Sequence, residues 1–159
     1  MYLNKTNLFL VISICLIFFF LTYFDVKSQE LKIVDGDTIH LNSEKIRFTG
    51  IDTPELKQTC ITDNEVIQCG IKAKELLIKR IGNSKVNCIK EGKDRYGRIL
   101  AECFIENVSL SRYLVRNGYA FAYRKYSQKF IPDEDFARTN KNGMWSMKFE
   151  FPWDYRKKN

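Results

Sequence analysis

Leu31-Lys32-Ile33-Val34-Asp35-Gly36-Asp37-Thr38-Ile39-His40-Leu41 joins a short apolar run to a run of alternating character through an Asp-Gly pair. That pattern predicts two antiparallel strands meeting at a tight turn. Asn42-Ser43-Glu44 reads as a second turn and residues 45–51 as a third strand. Pro54 ends that strand, because its ring forces Thr53 into an extended conformation.

Farther along, Ala73, Leu76, Leu77 and Ile81 recur at helical spacing, with Gly82-Asn83 as the stop. Residues 85–90 and 99–105 predict the arms of a hairpin around Asp94-Arg95-Tyr96-Gly97-Arg98. Leu110, Tyr113 and Leu114 mark a short helix, capped by Ser109 and followed by Gly118. Residues 119–123 predict a buried stretch. Pro132, Asp133 and Glu134 suit the first turn of a last helix running to Gly143. Five strands interleaved with three helices predict a small closed β-barrel decorated by helices, an α+β fold. The OB-type barrel is its economical form.

The chain has 159 residues, enough for one domain with a core and hardly for two. Residues 1–28 read as a signal peptide or signal anchor and residues 29–159 as the domain. Residues 8–24 carry no charge, follow Lys5, and would span about 25 Å as a helix, near the lower limit for crossing a bilayer. Val26-Lys27-Ser28 offers a small-residue cleavage site. The expected location is therefore secreted, periplasmic or membrane-anchored, with the domain outside the cytoplasm and the membrane met through residues 8–24 if the leader stays.

Four cysteines beyond the leader, Cys60, Cys69, Cys88 and Cys103, form an even set that an oxidising compartment would pair. Cys60 and Cys69 flank a polar stretch, residues 61–68, that reads as a loop closed at its base. Cys88 and Cys103 lie nearly symmetrically about the Arg95-Tyr96 turn, so a hairpin would bring them opposite one another. Cys60–Cys69 and Cys88–Cys103 are thus the expected pairs among three connectivities. Zinc is disfavoured by the absence of a C-x-x-C spacing and by a single, remote histidine, His40.

Three fragments carry chemistry: Asp35-Gly36-Asp37-Thr38, Arg47-Phe48-Thr49-Gly50-Ile51-Asp52-Thr53-Pro54-Glu55, and the Asp94 to Arg98 turn. Each alone is a turn or a strand exit with solvated charge. Together they supply carboxylates for a hard cation, a carboxylate to manage water, and guanidinium groups for charge developing on phosphorus oxygens. A net charge of +7 suits a polyanionic partner.

At that joint pattern, extended by Leu114-Val115-Arg116-x-Gly118 and Trp145, the chain resembles the thermonuclease family over roughly residues 33–145. The resemblance implies an OB-fold barrel with three helices and calcium-dependent cleavage of DNA and RNA; the chain is expected to be a monomer. It implies Asp37, Asp52 and the Thr53 carbonyl as calcium ligands, Glu55 as the group acting on the attacking water, and Arg47 and Arg98 as the phosphate grip. Tyr96 and Tyr123 fall on positions that line the family's nucleotide pocket. The chain departs from the pattern at residues 56–70, which replace a flexible loop, and at Phe121, where the best-known member has tyrosine. A tail at residues 149–159, with Trp153 and Arg156-Lys157-Lys158, has no counterpart. A nucleic-acid-binding module that does not cut, and an envelope-tethered interaction domain, are the competing readings. Retention of all five acidic and arginine side chains weighs against the first.

Overall fold

A computed structural model describes residues 29–63 and 65–158, so the leader lies outside the described residues. β1 (Leu31–Ile33) and β2 (Thr38–Leu41) form the hairpin that the Asp-Gly turn predicts, with Ile33 opposite Ile39. β3 (Glu44–Phe48) adds antiparallel to β2 and sets Arg47 opposite Thr38. The third strand is shorter than residues 45–51. Gly50, at φ 72°, turns the chain, and β4 (Ile51–Asp52) leaves the sheet.

The segment read as a polar loop is instead a hairpin, β5 (Thr59–Thr62) and β6 (Glu65–Gln68). Its far edge is also satisfied, because Ile61 and Lys148 exchange backbone hydrogen bonds at 2.9 and 2.8 Å. A backbone paired on both sides holds a strand that the polar composition does not advertise. The Cys60–Cys69 disulfide closes its base as expected.

Helix α1 (Cys69–Ile81) buries Ala73, Leu77 and Ile81 on one face. β7 (Val86–Lys93) and β8 (Ile99–Ile105) are the long hairpin, with Cys88 opposite Cys103 and bonded to it. β8 runs parallel to β3 and carries the short β9 (Val108–Ser109). Helix α2 (Leu110–Arg116) begins at Ser109, whose hydroxyl accepts from the Arg112 amide. β10 (Phe121–Ala122) pairs with β4, and α3 (Ile131–Thr139) follows. A 3-10 turn (Gly143–Ser146) and helix α4 (Pro152–Lys158) complete the chain.

The sheet is mixed and six-stranded, ordered β1-β2-β3-β8-β7 with β9 on β8. This corrects the expectation of a closed five-stranded barrel with three helices: the described residues form four α-helices, and β1 and β7 are not paired. Strand β1 pairs only with β2. The side chain of Gln29 joins the edges instead, donating to the Val86 carbonyl at 2.7 Å and accepting from its amide at 2.8 Å.

Two apolar clusters result. An aliphatic core, with Ile39, Ile46, Phe48, Ile51, Leu77 and Leu114, lies between the sheet and α1 and α2. A second cluster gathers Cys60, Cys69, Phe121 and Met144 under Trp145, Phe149, Phe151 and Trp153. Among the described residues no helix is long and apolar enough to cross a membrane; the run at residues 8–24 is outside them.

Candidate active site

The strand register brings the first two fragments together. The Phe48 amide donates to the Asp37 carbonyl at 2.8 Å, which places the end of β3 beside the turn into β2. Arg47 then reaches both acids: Nη1 donates to Asp37 Oδ1 at 2.5 Å and Nη2 to Asp52 Oδ1 at 2.9 Å. The Thr53 amide donates to Asp37 Oδ2 at 3.0 Å, and the Thr38 hydroxyl to Oδ1 at 3.2 Å. Two carboxylates, Asp37 from the turn into β2 and Asp52 from β4, therefore both face the Arg47 guanidinium, with the Thr53 peptide alongside.

Both acids are buried, Asp37 at 2% and Asp52 at 0% exposure. Burial pushes the Asp37 carboxyl up to about 7, and the Arg47 charge opposes the rise while Asp35 and Asp52 add to it. Arg47 also feels burial, which works against its charge, but Asp37 and Asp52 outweigh that and raise its pKa. For Asp37, then, Arg47 only partly offsets the cost of burial.

Glu55 is set by backbone contacts. Its amide donates to the buried Gln58 side chain at 3.2 Å, and Gln58 in turn donates to the Glu150 carbonyl at 2.6 Å. Gly70 packs directly on the Glu55 peptide, where any Cβ would overlap the carbonyl. The Glu55 carboxylate itself is half exposed.

At the tip of the β7–β8 hairpin, Asp94 Oδ1 accepts from the Tyr96 and Arg98 amides, both at 2.9 Å, and Oδ2 accepts from Arg98 Nε at 2.7 Å. Burial opposes ionisation of Asp94, but these bonds outweigh it and hold its carboxyl below the usual range. Asp94 thus shapes the turn and aims Arg98. Tyr96 stands 69% exposed, with Arg95 and Arg98 over its ring at 4.8 and 5.6 Å.

One cleft of about 870 Å³ is lined by Asp37, Arg47, Thr53, Glu55, Tyr96, Arg98 and Tyr123. Asp52 is fully buried and does not line it, but is bonded to Arg47 and Arg156, which do. The predicted acids, arginines and tyrosines are therefore brought to one place. Phe121 is not: it is fully buried under Trp145, Phe149, Phe151 and Trp153 and lines no part of the cleft.

Among the described residues, no group of three or more His, Cys, Asp and Glu side chains is placed to hold a metal ion. The expected set has two carboxylates and a carbonyl, which suits a hard cation that keeps several waters. Convergence of buried Asp37 and Asp52 on one cationic group is the feature that fits it.

The basic tail with Arg156 reads in the sequence as packing on the barrel or touching phosphate; Arg156 instead occupies the site from α4, on the acids. It donates to Asp52 Oδ2 at 2.6 Å, to Asp52 Oδ1 at 3.2 Å and to Glu55 Oε1 at 2.8 Å. Burial acts against its charge, and Asp52 and Glu55 overcome this and raise its pKa. The basic run beside Trp153 was the available signal, but no local spacing ties it to acids a hundred residues away. Lys93, Lys125, Tyr126 and Lys129 also line the cleft and were not singled out.

Residues 45–147 match the family described as staphylococcal nuclease homologue. The chain is 33% identical over 144 residues to an uncharacterized protein of Methanocaldococcus jannaschii, covering 73% of this chain and 70% of that one. It is 31% identical over 127 residues to a thermonuclease of Staphylococcus hyicus, covering 73% of each. A probable staphylococcal-like nuclease of Oryza sativa subsp. japonica is 27% identical over 140 residues, and this chain spans only 36% of that longer protein. The family match stops before α4.

Proposed function

This chain belongs to the staphylococcal nuclease homologue family, and from that premise we propose that it is a calcium-dependent endonuclease. Its substrates in this reading are DNA and RNA, cut at phosphodiester bonds with little regard to sequence. The observation that carries the reading is the pair of buried carboxylates, Asp37 and Asp52, facing Arg47 below a cleft rimmed by Glu55 and Arg98. We read the sheet as an OB-type barrel left open at β1 and β7, acting as a monomer.

Asp37, Asp52 and the Thr53 carbonyl would hold the cation. Calcium, when bound, would offset charge on the phosphoryl oxygens and acidify a bound water. Glu55, fixed through Gln58 and Gly70 with its carboxylate at the cleft, takes the proton from the attacking water. Arg47 uses two of its five donors on the acids and has the remainder for phosphate oxygens. Arg98, held by Asp94, meets the phosphate from the β7–β8 turn. Planar guanidinium groups bind two phosphate oxygens at once, so both arginines strengthen their grip as the oxygens gain charge. Tyr96 and Tyr123 offer faces for bases, a contact indifferent to sequence.

We further read the domain as exported or membrane-anchored, working outside the reducing cytoplasm. Pairing of all four cysteines among the described residues supports this. Four free thiols in protein from its native compartment would overturn that part. The reaction is tested by release of acid-soluble nucleotide from DNA and from RNA with calcium, magnesium or chelator. Activity is expected with calcium and not in chelator. Full activity in chelator, or none under any condition, refutes the proposal.

A further inference from the structure

Helix α4 covers two functional features of the cleft at once. Arg156 occupies both oxygens of Asp52 and one of Glu55. One turn earlier, Trp153 stacks on Tyr123 with centroids 5.9 Å apart and planes 5° from parallel. Phe151 backs it at 4.6 Å and 8°. A single seven-residue helix thus lays a guanidinium on the carboxylates expected to serve the cation and the water, and a ring on the tyrosine expected to face a base.

We propose that α4 is a displaceable plug, an internal ligand that competes with the divalent cation for Asp52 and with a nucleotide for Tyr123. The proposal rests on the metal-dependent nuclease reading above. A divalent cation on Asp52 and a guanidinium bonded to both oxygens of that carboxylate would be like charges in near contact in a poorly solvated site. They exclude one another. Arg47 also touches Asp52, but it belongs to β3, whose backbone is bonded between β2 and β8. Arg156 belongs to a seven-residue helix outside the family match, is 37% exposed, and is anchored by ring stacking. Arg156 is therefore the group that yields.

The plug also holds its other cations in reserve. Lys157 pairs with Asp154 at 2.8 Å and Lys158 with Glu150 at 2.5 Å, both on the tail itself. Once α4 lifts, a polyanionic strand offers these two lysines, and Arg156 with them, a stronger set of partners. Cation and substrate then open the site together, and the resting protein is held back at low calcium.

The test is calorimetric titration of calcium chloride into the full chain, kept in detergent for the apolar run at residues 8–24. Wild type is compared with Arg156→Ala and Arg156→Lys. Arg156→Ala should bind calcium tighter by on the order of tenfold, the usual size of a coupling between two sites, with Arg156→Lys between. Independently of any variant, calcium should speed hydrogen exchange at the amides of residues 153–158 in the wild type. Equal or weaker calcium affinity in Arg156→Ala overturns the plug alone. No heat from either protein overturns the metal site and the plug together. Unchanged affinity with slower turnover at saturating calcium would make Arg156 a third phosphate-binding arginine, and the plug would again be wrong.

Discussion

The aliphatic core and the aromatic cluster are built by different rules. In the first, Ile39, Ile46, Leu77 and Leu114 come from strands and helices whose periodicity turns them inward. In the second, Trp145, Phe149, Phe151 and Trp153 come from a 3-10 turn, extended chain and the short helix α4, gathered around Phe121. The active-site cleft runs along the seam. Asp37 and Arg47 belong to the sheet side. Tyr123 and Arg156 belong to the aromatic side, and Glu55 is tied to it through Gln58 and the Glu150 carbonyl. The comparison teaches that Asp37 and Arg47 are fixed by the sheet, whereas Arg156 and Tyr123 are held by aromatic packing.

The largest effect should come from removing the central ring of each region. Phe48→Ala and Phe121→Ala both truncate fully buried rings and should each cost about 3–5 kcal/mol. The chain's two tryptophans both pack in the aromatic cluster, so their fluorescence reports that region while far-UV circular dichroism reports the sheet. In urea the two signals should coincide for wild type and for Phe48→Ala. For Phe121→Ala the fluorescence transition should come first. Coincident transitions in Phe121→Ala would dissolve the distinction between the two regions.

Legibility in the sequence follows the same division. The β1–β2 turn, the buried face of α1, the Ser109 cap and the β7–β8 hairpin rest on local spacing, and the structure has them. Asp37, Arg47 and Asp52 converge because strand pairing is set by those local patterns. The β5–β6 hairpin was not legible, since its stability comes from pairing with Lys148 and from the aromatic cluster beneath Cys60. Barrel closure failed for a related reason: one glutamine side chain does what a strand edge was expected to do. Arg156 acts across the whole chain, where periodicity carries no information.

The disulfides offer a second comparison, since one lies in each region. Chain-entropy reasoning gives about 3.0 kcal/mol for Cys88–Cys103 and about 2.6 for Cys60–Cys69, from separations of 15 and 9 residues. Replacing both members of a pair with alanine should lower stability by close to these amounts. Loss of Cys60–Cys69 should also loosen Glu55, because Cys69 leads directly into Gly70, and so reduce turnover. A Cys60→Ala/Cys69→Ala double variant with unchanged turnover would separate the hairpin from the site.

Next in size are the two arginines proposed to grip phosphate, Arg47 on β3 and Arg98 in the turn before β8. Arg47→Lys and Arg98→Lys keep charge and lose the planar fork, so each should slow turnover by about 10²-fold, equivalent to about 2.7 kcal/mol. Glu55→Gln should slow it comparably while melting as the wild type does. Wild-type turnover in a folded Glu55→Gln protein would mean that water is activated by another group.

The smallest effect sharpens the comparison most, because it sets stability against function at the seam. Asp37 is carried by the sheet side in a nearly dry position, and burial lifts its carboxyl from the ordinary 3.8 to about 7. Its folded value lies above its unfolded one, so between about pH 4 and 7 the folded state binds more protons and stability falls as pH rises. Above pH 7 the ionised Asp37 is a standing cost that Arg47 offsets only in part. Asparagine removes the buried charge but keeps one acceptor oxygen, so either the Thr53 amide or the Arg47 guanidinium loses its partner and faces the new NH2. In chelator at pH 8 relief of the charge should outweigh that one lost bond, and Asp37→Asn should melt above wild type, a gain of roughly 1 kcal/mol. At pH 4 the two should converge, and calcium should raise the wild type while leaving the variant where it was. The same substitution should abolish nuclease activity. A variant less stable than wild type at pH 8 in chelator would show that the buried charge on Asp37, offset by Arg47, costs less than the lost bond.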